Sequence, residues 1–290
     1  MQFRAEYGEL VIVVDNKSWR VAAYEYYKWA RKNIREEDDN DWDELWAIIE
    51  QIKWETYENL PYPIHGAEGA EADDVFPIYI NDNPNEKHMI VSNDKDLVVL
   101  TKAHNVEQWR PVMGKPYEVE NHEQFEFNMF ISGDKADGIP SIKCNDDFLK
   151  VQAQNKAMEQ PVKRAPAISA KFKAGAWEAH LRDIDHEEAT GEQNDNQLID
   201  FLRCSLSKKE IENNPKLPEN IYKHFVRNRQ LIGLDYVPDE VNVAIRENLK
   251  HKRRNGLKTM MNFLTSKKMG LLAQRIKDFE PNTTLAPSLF

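Results

Sequence analysis

The chain has 290 residues and a formal net charge of −10, with 41% hydrophobic and 30% charged residues. This composition is typical of a soluble protein with one large or two smaller domains, and no apolar run approaches the ~20 residues of a membrane span. Two cysteines exclude a disulfide scaffold, and the N-terminus lacks a signal-peptide core. We therefore expect a cytoplasmic protein with no membrane partner.

The first predicted element is a buried strand at residues 10–14, an uninterrupted apolar and β-branched run. Asp15 follows this strand directly. Ligand sites of open α/β sheets lie beyond the carboxyl ends of their strands, so Asp15 is a candidate site residue. In isolation, a simple Asp15–Asn16 turn is the favoured interpretation.

A helix is predicted next, at residues 21–37. Tyr24, Tyr27, Lys28 and Arg31 recur in it at a spacing of three or four residues, which would place them on one face. Aromatic rings interleaved with cations can stack on bases and hold phosphates. An amphipathic helix with its aromatic rings in the core explains the pattern equally well.

A second helix is predicted at residues 44–60, where Pro61 and Pro63 end it. Its apolar stripe consists of Leu45, Ile48, Ile49 and Ile52. The acidic cluster at residues 71–74 then opens a further helix at Asp73 or Asp74, and Pro77 is expected to kink that helix.

Two acidic clusters surround the predicted strand at residues 89–91: Glu71 and Asp73 precede it, and Asp94 and Asp96 follow it. Carboxylates that are forced together repel unless a cation joins them. Hard oxygen ligands favour Mg²⁺ or Mn²⁺, and paired ions of this kind support phosphodiester hydrolysis. The alternative is that these acids only cap helices and form turns, and this is favoured for either cluster alone.

A third acidic motif lies in a glycine-rich turn at residues 133–142, GDKADGIPSI. Its backbone amides can hold a phosphate, and Asp134 and Asp137 can face a metal, although a solvated surface turn is the more common structure. Short helices are predicted at residues 197–207, 219–231 and 240–250. The region 250–277 is basic and includes Lys252, Arg253 and Arg254. It is interpreted either as a DNA-contacting surface or as a solvated helix face.

Four acidic motifs in this order and spacing resemble the 5′-nuclease (flap endonuclease) superfamily, and within it the T-even phage ribonuclease H branch. The motifs begin at Asp15, Glu71, Asp94 and Gly133. The resemblance extends over residues 10–279, through Trp19-Arg20, the helix at residues 27–31, Gln108-Trp109 and the LIGLDYVPD segment that starts at Leu231.

The resemblance implies two metal ions, Mg²⁺ or alternatively Mn²⁺. The first would be surrounded by Asp15, Glu71, Asp73 and Asp94, and the second would be served by Asp96, Asp134 and Asp137. Lys28 and Arg31 would act at the scissile phosphate. The 133–142 loop would belong to a helix–three-turn–helix element that grips duplex DNA with a K⁺ ion. The implied nucleic-acid contacts are Arg20, Tyr27, Lys28, Arg31, Gly133, Gly138, Ile139, Lys252, Arg253 and Arg254.

The implied fold is an α/β, PIN-like 5′-nuclease parallel sheet followed by a helical helix–three-turn–helix region. The predicted domains are a metal-binding domain at residues 1–125, a DNA-binding region at 126–280 and a tail at 281–290. Family members begin with an additional strand that carries another metal-site Asp, and we expect this chain to lack it. Gly138 and Pro77 are two smaller departures, because the family usually has Asn at the first and a regular helix at the second.

Two functions follow. The first is a metal-dependent 5′→3′ nuclease, acting on branched or nicked DNA or RNA–DNA hybrids in phage replication. The second is a DNA-junction-binding or split-gene subunit without activity of its own. A monomer is expected, and a replication clamp or single-strand-binding protein is the candidate protein partner.

Overall fold

A computed structural model describes residues 3–251 and 255–280 of the chain. Its contacts divide the chain into two compact units. The first unit comprises the described residues within 1–19, 38–118 and 237–290, and the second comprises residues 20–37 and 119–236. Residues 20–37 belong to the second unit and residues 237–280 to the first, so neither unit is continuous in sequence. The predicted domain boundary at residue 125 stays a prediction.

The first unit holds five short strands in two sheets. Strand β1 (Ile12–Val13) pairs in parallel with β2 (Ile64–His65). Strand β3 (His88–Val91) pairs in parallel with β4 (Val106–Arg110), and β5 (Lys115–Pro116) pairs antiparallel with β4. The predicted α/β class with a parallel sheet is confirmed.

The first strand is shorter and more exposed than the sequence predicts. Both residues of β1 are only half-buried, and Leu10, which was expected inside the strand, is 50% exposed. The strand ends early because its partner leaves the ladder: the Val14 amide donates to the His65 carbonyl, and the Asn16 amide already donates to Ala70. The prediction of a fully buried strand is wrong.

The helices of the first unit include the one predicted at residues 44–60. The helix α4 (Trp42–Asn59) is confirmed, and the Asp41 carboxylate caps it by accepting from the Glu44 amide at 2.9 Å. Its predicted stripe faces solvent at Leu45, Ile48 and Ile52. The remaining helices are α1 (Arg4–Tyr7), α5 (Ala72–Asp82), α12 (Asp239–Leu249), α13 (Leu257–Ser266) and α14 (Gly270–Gln274), with 3₁₀ turns at Asp96–Lys102 and Ile276–Phe279.

The second unit is helical. It contains α2 (Arg20–Ala23), α3 (Trp29–Glu37), α6 (His122–Ser132), α7 (Phe148–Ala157), α8 (Ala170–Thr190), α9 (Asn196–Cys204), α10 (Lys208–Asn213) and α11 (Leu217–Ile232). The predicted helices at residues 197–207 and 219–231 are therefore confirmed as α9 and α11, and the one predicted at 240–250 is confirmed as α12 of the first unit. The core of this unit includes Phe127, Ile131, Leu198, Leu217 and Ile221.

The single helix predicted at residues 21–37 is wrong, because the chain breaks between α2 and α3. Lys28 lies at the break with φ +52°, a left-handed conformation that interrupts a right-handed helix. Tyr24 and Tyr27 are buried in the core of the second unit, so these residues do not share an exposed helical face with Arg31.

Helix α5 begins one residue earlier than predicted and continues through Pro77. Proline cannot donate a backbone hydrogen bond, yet Pro77 is buried together with Val75 and Ile78. Packing of α5 against α12 through Val75, Ile78, Val241 and Ile245 offsets the missing bond. Within the described residues, no helix is long and apolar enough to cross a membrane.

Candidate active site and nucleic-acid interface

Asp15 and the Glu71–Asp73 motif meet at the carboxyl end of the β1–β2 pair. After β1, the Asn16 amide donates to the Ala70 carbonyl, which holds the chain beside the N-terminus of α5. The Asp15 Oδ1 atom accepts from the Ala72 amide at 2.8 Å. The position suits a carboxylate because the helix N-terminus carries partial positive charge.

Glu71 precedes α5 and is held by its neighbours. Its Oε2 atom accepts from the Ser18 hydroxyl at 3.0 Å, and its amide donates to Oδ2 of the buried Asp74 at 3.0 Å. Asp73 lies in the first turn of α5 and is half-buried. The structure therefore brings Asp15, Glu71 and Asp73 to one helix N-terminus, where capping is part of their role.

Asp94 and Asp96 form the turn between β3 and the following 3₁₀ helix. The Asp94 Oδ1 atom accepts from the Asp96 amide at 3.0 Å, and Lys95 pairs with the Asp96 carboxylate at 3.1 Å. The buried Gln108 side chain of β4 donates to the carbonyls of Ser92 and Asp94, at 3.1 and 2.6 Å. Gln108 is thus the residue that fixes this turn.

The carboxylates do not form a metal cage. No group of three or more His, Cys, Asp or Glu side chains that could hold a metal ion occurs among the residues that the structure describes. The donor atoms are hard oxygens of the kind that Mg²⁺ prefers, but Asp15, Glu71, Asp94 and Asp96 each contact a protein donor. The chemistry of the donors fits a divalent ion, which would compete with these protein donors for the carboxylate oxygens.

In the second unit, the 133–142 loop folds through its own aspartates. The Asp134 Oδ1 atom accepts from the amides of Ala136 and Asp137, at 2.8 and 3.3 Å. The Ile139 amide donates to the Asp134 carbonyl at 2.8 Å. Gly133, with φ +71°, begins this turn, and a Cβ there would lie 2.4 Å from the Ile139 carbonyl oxygen.

Asp137 joins this loop to the break at Lys28. Its carboxylate accepts from the Arg31 guanidinium at 2.7 Å and from the Tyr27 hydroxyl at 3.2 Å. Its carbonyl accepts from the Lys28 amide at 2.8 Å. Asp137, which is a predicted metal ligand, thus pairs in this structure with Arg31, which is a predicted phosphate-binding residue.

Comparisons with known proteins agree with the four acidic motifs. Residues 2–129 match the 5′-3′ exonuclease N-terminal, resolvase-like domain family. Ribonuclease H of Enterobacteria phage T4 is 25% identical over 242 residues, which covers 81% of this chain and 67% of that protein. Over residues 2–129 the chain is therefore similar to the 5′-nuclease superfamily. The predicted resemblance is confirmed.

Two solved structures of phage proteins share the fold of this chain. The T5 D15 protein, co-crystallised with metal ions, has a TM-score of 0.54 and 17% identity, over 96% of this chain and 87% of that chain. A T5 5′-exonuclease structure with bound zinc has a TM-score of 0.51 and 17% identity, over 87% and 86% of the two chains. At such identity the likeness shows the fold alone.

Several residues that were predicted to contact nucleic acid are buried or lie outside the described residues. The Arg20 side chain is 3% exposed and its Nε donates to the Leu231 carbonyl at 2.8 Å, so burial removes it from the surface. The Tyr27 ring is buried, which prevents it from stacking on a base. Gly138 and Ile139 are buried in the loop, and Lys252, Arg253 and Arg254 lie outside the described residues.

Three polar residues of α11 that hold the 133–142 loop were not predicted from the sequence. His224, Arg227 and Asn228 all donate to carbonyl groups of this loop. Asn228 is fully buried, and burial lowers the pKa of His224 despite its bond to a carbonyl. The available signal was a run of polar residues that interrupts the apolar spacing of a core helix.

Proposed function

We propose that the chain is a Mg²⁺-dependent 5′→3′ nuclease that hydrolyses phosphodiesters in branched or nicked DNA or in RNA–DNA hybrids. The observation that carries this proposal is the contact of Asp15 with the Ala72 amide, beside Glu71 and Asp73 at the end of two parallel strands. The family of residues 2–129 and the name of the T4 relative support the reaction class.

In the proposed enzyme, Asp15, Glu71, Asp73 and Asp94 would hold the first divalent ion, and Asp96, Asp134 and Asp137 would serve the second. A bound ion would supply water activation and charge neutralisation at the phosphate. The protein's own cations, Lys28 and Arg31, bind the phosphate. Because Arg31 already pairs with Asp137, phosphate would compete with that carboxylate for the guanidinium.

The partners and cofactors proposed with this activity are those of the sequence analysis. Mn²⁺ is the alternative divalent ion, and K⁺ is the monovalent ion proposed at the 133–142 loop. We also propose a monomer that acts in the cytoplasm during phage DNA replication, with a replication clamp or single-strand-binding protein as its protein partner. We propose that residues 1–125 form the metal-binding domain and that residues 126–280 form the DNA-binding region.

The second candidate is a DNA-junction-binding subunit that lacks activity alone. One observation favours it: among the described residues, no three candidate ligands are gathered around a metal position. Such a subunit would bind flap DNA with a strong salt dependence and would leave it uncut.

One experiment separates the two candidates. The purified chain is incubated with a 5′-labelled flap duplex, in Mg²⁺ and in EDTA. Cleavage near the junction that EDTA abolishes is the result expected of the nuclease. Tight binding without cleavage, in Mg²⁺ and in Mn²⁺, would contradict the nuclease and favour the binding subunit.

A further inference from the structure

The turn that carries Asp94 is held by the side chain of Gln108 on the neighbouring strand. The last main-chain bond between these segments joins the Ser92 amide to the Trp109 carbonyl at 3.0 Å. Beyond it, Nε2 of Gln108 donates to the carbonyls of Ser92 and Asp94, at 3.1 and 2.6 Å. A primary amide nitrogen carries two hydrogens, so one side chain can satisfy both carbonyls. Gln108 therefore fixes the main chain of the turn where the strand pairing has ended.

The turn uses only one carboxylate oxygen of Asp94 for its own fold. Oδ1 of Asp94 accepts from the Asp96 amide at 3.0 Å, and the Ser92 hydroxyl accepts from the Asp94 amide at 3.1 Å. Among the described residues, Oδ2 of Asp94 has no hydrogen-bond partner, and Asp94 is exposed. This oxygen is suited to a hard cation, and its direction depends on the main chain that Gln108 holds.

Core packing alone does not explain a glutamine at position 108. Burial alternates along β4, with Val106 and Gln108 inside and Glu107 outside, and Gln108 is only 1% exposed. Within the described part of the chain, its Oε1 atom is buried without a hydrogen-bond partner. A buried oxygen of this kind destabilises a protein, whereas an apolar side chain would fill the position without that cost. The amide is therefore explained by the two carbonyls that its nitrogen holds.

We propose that Gln108 is a positioning residue of the nuclease site: it holds the Ser92 and Asp94 carbonyls so that the Asp94 carboxylate is directed at a divalent ion. This inference rests on the proposed function, in which Asp94 is a ligand of the first ion. Residues that orient a metal ligand typically change metal affinity or activity by about ten- to hundredfold when they are replaced. Gln108 acts through the turn, because its side-chain nitrogen donates to main-chain carbonyls.

A matched control lies at the other end of the same strand pair. Nδ2 of Asn105 donates to the carbonyls of Pro84 and Glu86, at 3.1 and 2.6 Å, in the loop before β3. Asn105→Leu thus removes the same kind of bridge, with the same two distances, from the end of β3 opposite to Asp94. Gln108→Met and Asn105→Leu each replace an amide with an apolar side chain of similar size.

Wild type and the two variants are compared in two measurements. Binding of Mn²⁺ to the proteins without DNA is followed by the electron paramagnetic resonance signal of the free ion. Single-turnover cleavage of a saturating 5′-flap duplex is measured over a range of Mg²⁺ concentrations. Urea unfolding gives the stability of each variant and establishes that it is folded.

Gln108→Met is expected to weaken Mn²⁺ binding about tenfold or more, and to raise the Mg²⁺ concentration at half-maximal rate by a similar factor. Asn105→Leu should match wild type in both, even where it unfolds at a lower urea concentration. A merely structural role of Gln108 would lower the stability of both variants and leave Mn²⁺ binding unchanged. Gln108→Asn, whose amide is one methylene shorter, should show the same weakening if Gln108→Met does not fold.

Folded Gln108 variants that bind Mn²⁺ and respond to Mg²⁺ like wild type would overturn the inference and leave the nuclease proposal intact. Equal weakening in Asn105→Leu would also overturn it, because the effect would then not be specific to the Asp94 turn. Wild type that binds Mn²⁺ without cutting the duplex would contradict the nuclease alone, and the binding comparison would still decide the role of Gln108. Wild type that neither binds Mn²⁺ nor cuts would contradict both.

Discussion

Gly138 shows most directly how single residues shape the predicted nucleic-acid loop. A Cβ at this position would lie 2.2 Å from the carbonyl oxygen of Tyr26, and the backbone has φ +76°. The resemblance leads us to expect Asn here, which tolerates the left-handed region but would still bring a Cβ. In this chain, glycine permits the loop to approach the segment before the break at Lys28.

Gly138→Ala should therefore destabilise the protein by about 2–5 kcal/mol, from left-handed strain together with the steric overlap. Gly191→Ala is the matched control, since Gly191 has φ +74° and a Cβ there would meet nothing within 4 Å. The control should cost only about 1–2 kcal/mol, the strain alone. Urea unfolding measures both, and equal losses would show that the close contact with Tyr26 is absent.

The ion pair of Asp137 and Arg31 is a second feature of this loop that depends on single residues. Its side chains are 26% and 47% exposed, so solvent screens their attraction. A double-mutant cycle with Asp137→Asn and Arg31→Gln should give a coupling free energy of about 0–1 kcal/mol. A coupling free energy above about 3 kcal/mol, typical of a desolvated pair, would contradict this description of the pair.

Among the secondary-structure elements, helix α4 forms as predicted, although its apolar stripe is not packed in a core. The sequence predicts the helix correctly, yet Ile52 is 56% exposed, whereas Ile245 on α12 is 1% exposed. Ile52→Ala should change the free energy of unfolding by no more than about 0.5 kcal/mol. Ile245→Ala, the same substitution in a buried helix, should cost about 2–5 kcal/mol. Similar losses at the two positions would mean that α4 is buried in solution.

The sequence predicts a helix of this protein correctly where apolar side chains recur at regular helical spacing. Helices α9, α11 and α12 have regular apolar spacing and are predicted within a few residues. Helix α8 is missed because its buried positions include Ala176, Ala179 and Asp183, which carry little apolar signal. The break at Lys28 is missed because its cause is non-local: the Lys28 amide donates to the Asp137 carbonyl.

The candidate site is likewise predictable only where its contacts follow from the predicted strands and helices. Asp15 and Glu71 are expected to meet because both follow or precede elements of one sheet edge, and the Asp15–Ala72 contact agrees with this. The pairing of Asp137 with Arg31, the burial of Arg20 and the role of Asn228 arise from contacts between residues that are 88 or more positions apart in sequence. Such contacts leave no trace in local spacing.

At the scale of the whole molecule, three histidines make stability sensitive to acid. Burial lowers the pKa of His65, His180 and His224 below the ordinary value of 6.5, although hydrogen bonds or nearby acids partly oppose it. The unfolded chain therefore binds more protons than the folded protein at pH values just below 6.5. The free energy of unfolding should be constant above that pH and fall as the pH decreases towards 5.

His180→Phe should make this decrease shallower. The His180 ring stacks on Phe127 at 5.0 Å between centroids, and within the described residues its Nδ1 atom is buried without a hydrogen-bond partner. Phenylalanine keeps the ring contact and removes the titration. Melting temperatures of both proteins from pH 8 to pH 5 test this, and parallel curves would contradict a neutral buried His180.

Asp15 and Asp73 are proposed to act together in phosphodiester hydrolysis at the N-terminus of α5. The most direct test of this proposal is the single-turnover cleavage of a 5′-flap duplex in Mg²⁺ by Asp15→Asn, Asp73→Asn and the exposed control Asp43→Asn. Asparagine at position 15 retains an oxygen that can accept from the Ala72 amide and removes only the charge. We expect a loss of roughly a hundredfold or more for the first two variants, and an unchanged rate for the control. Wild-type rates in folded Asp15→Asn and Asp73→Asn would show that these carboxylates only cap the helix.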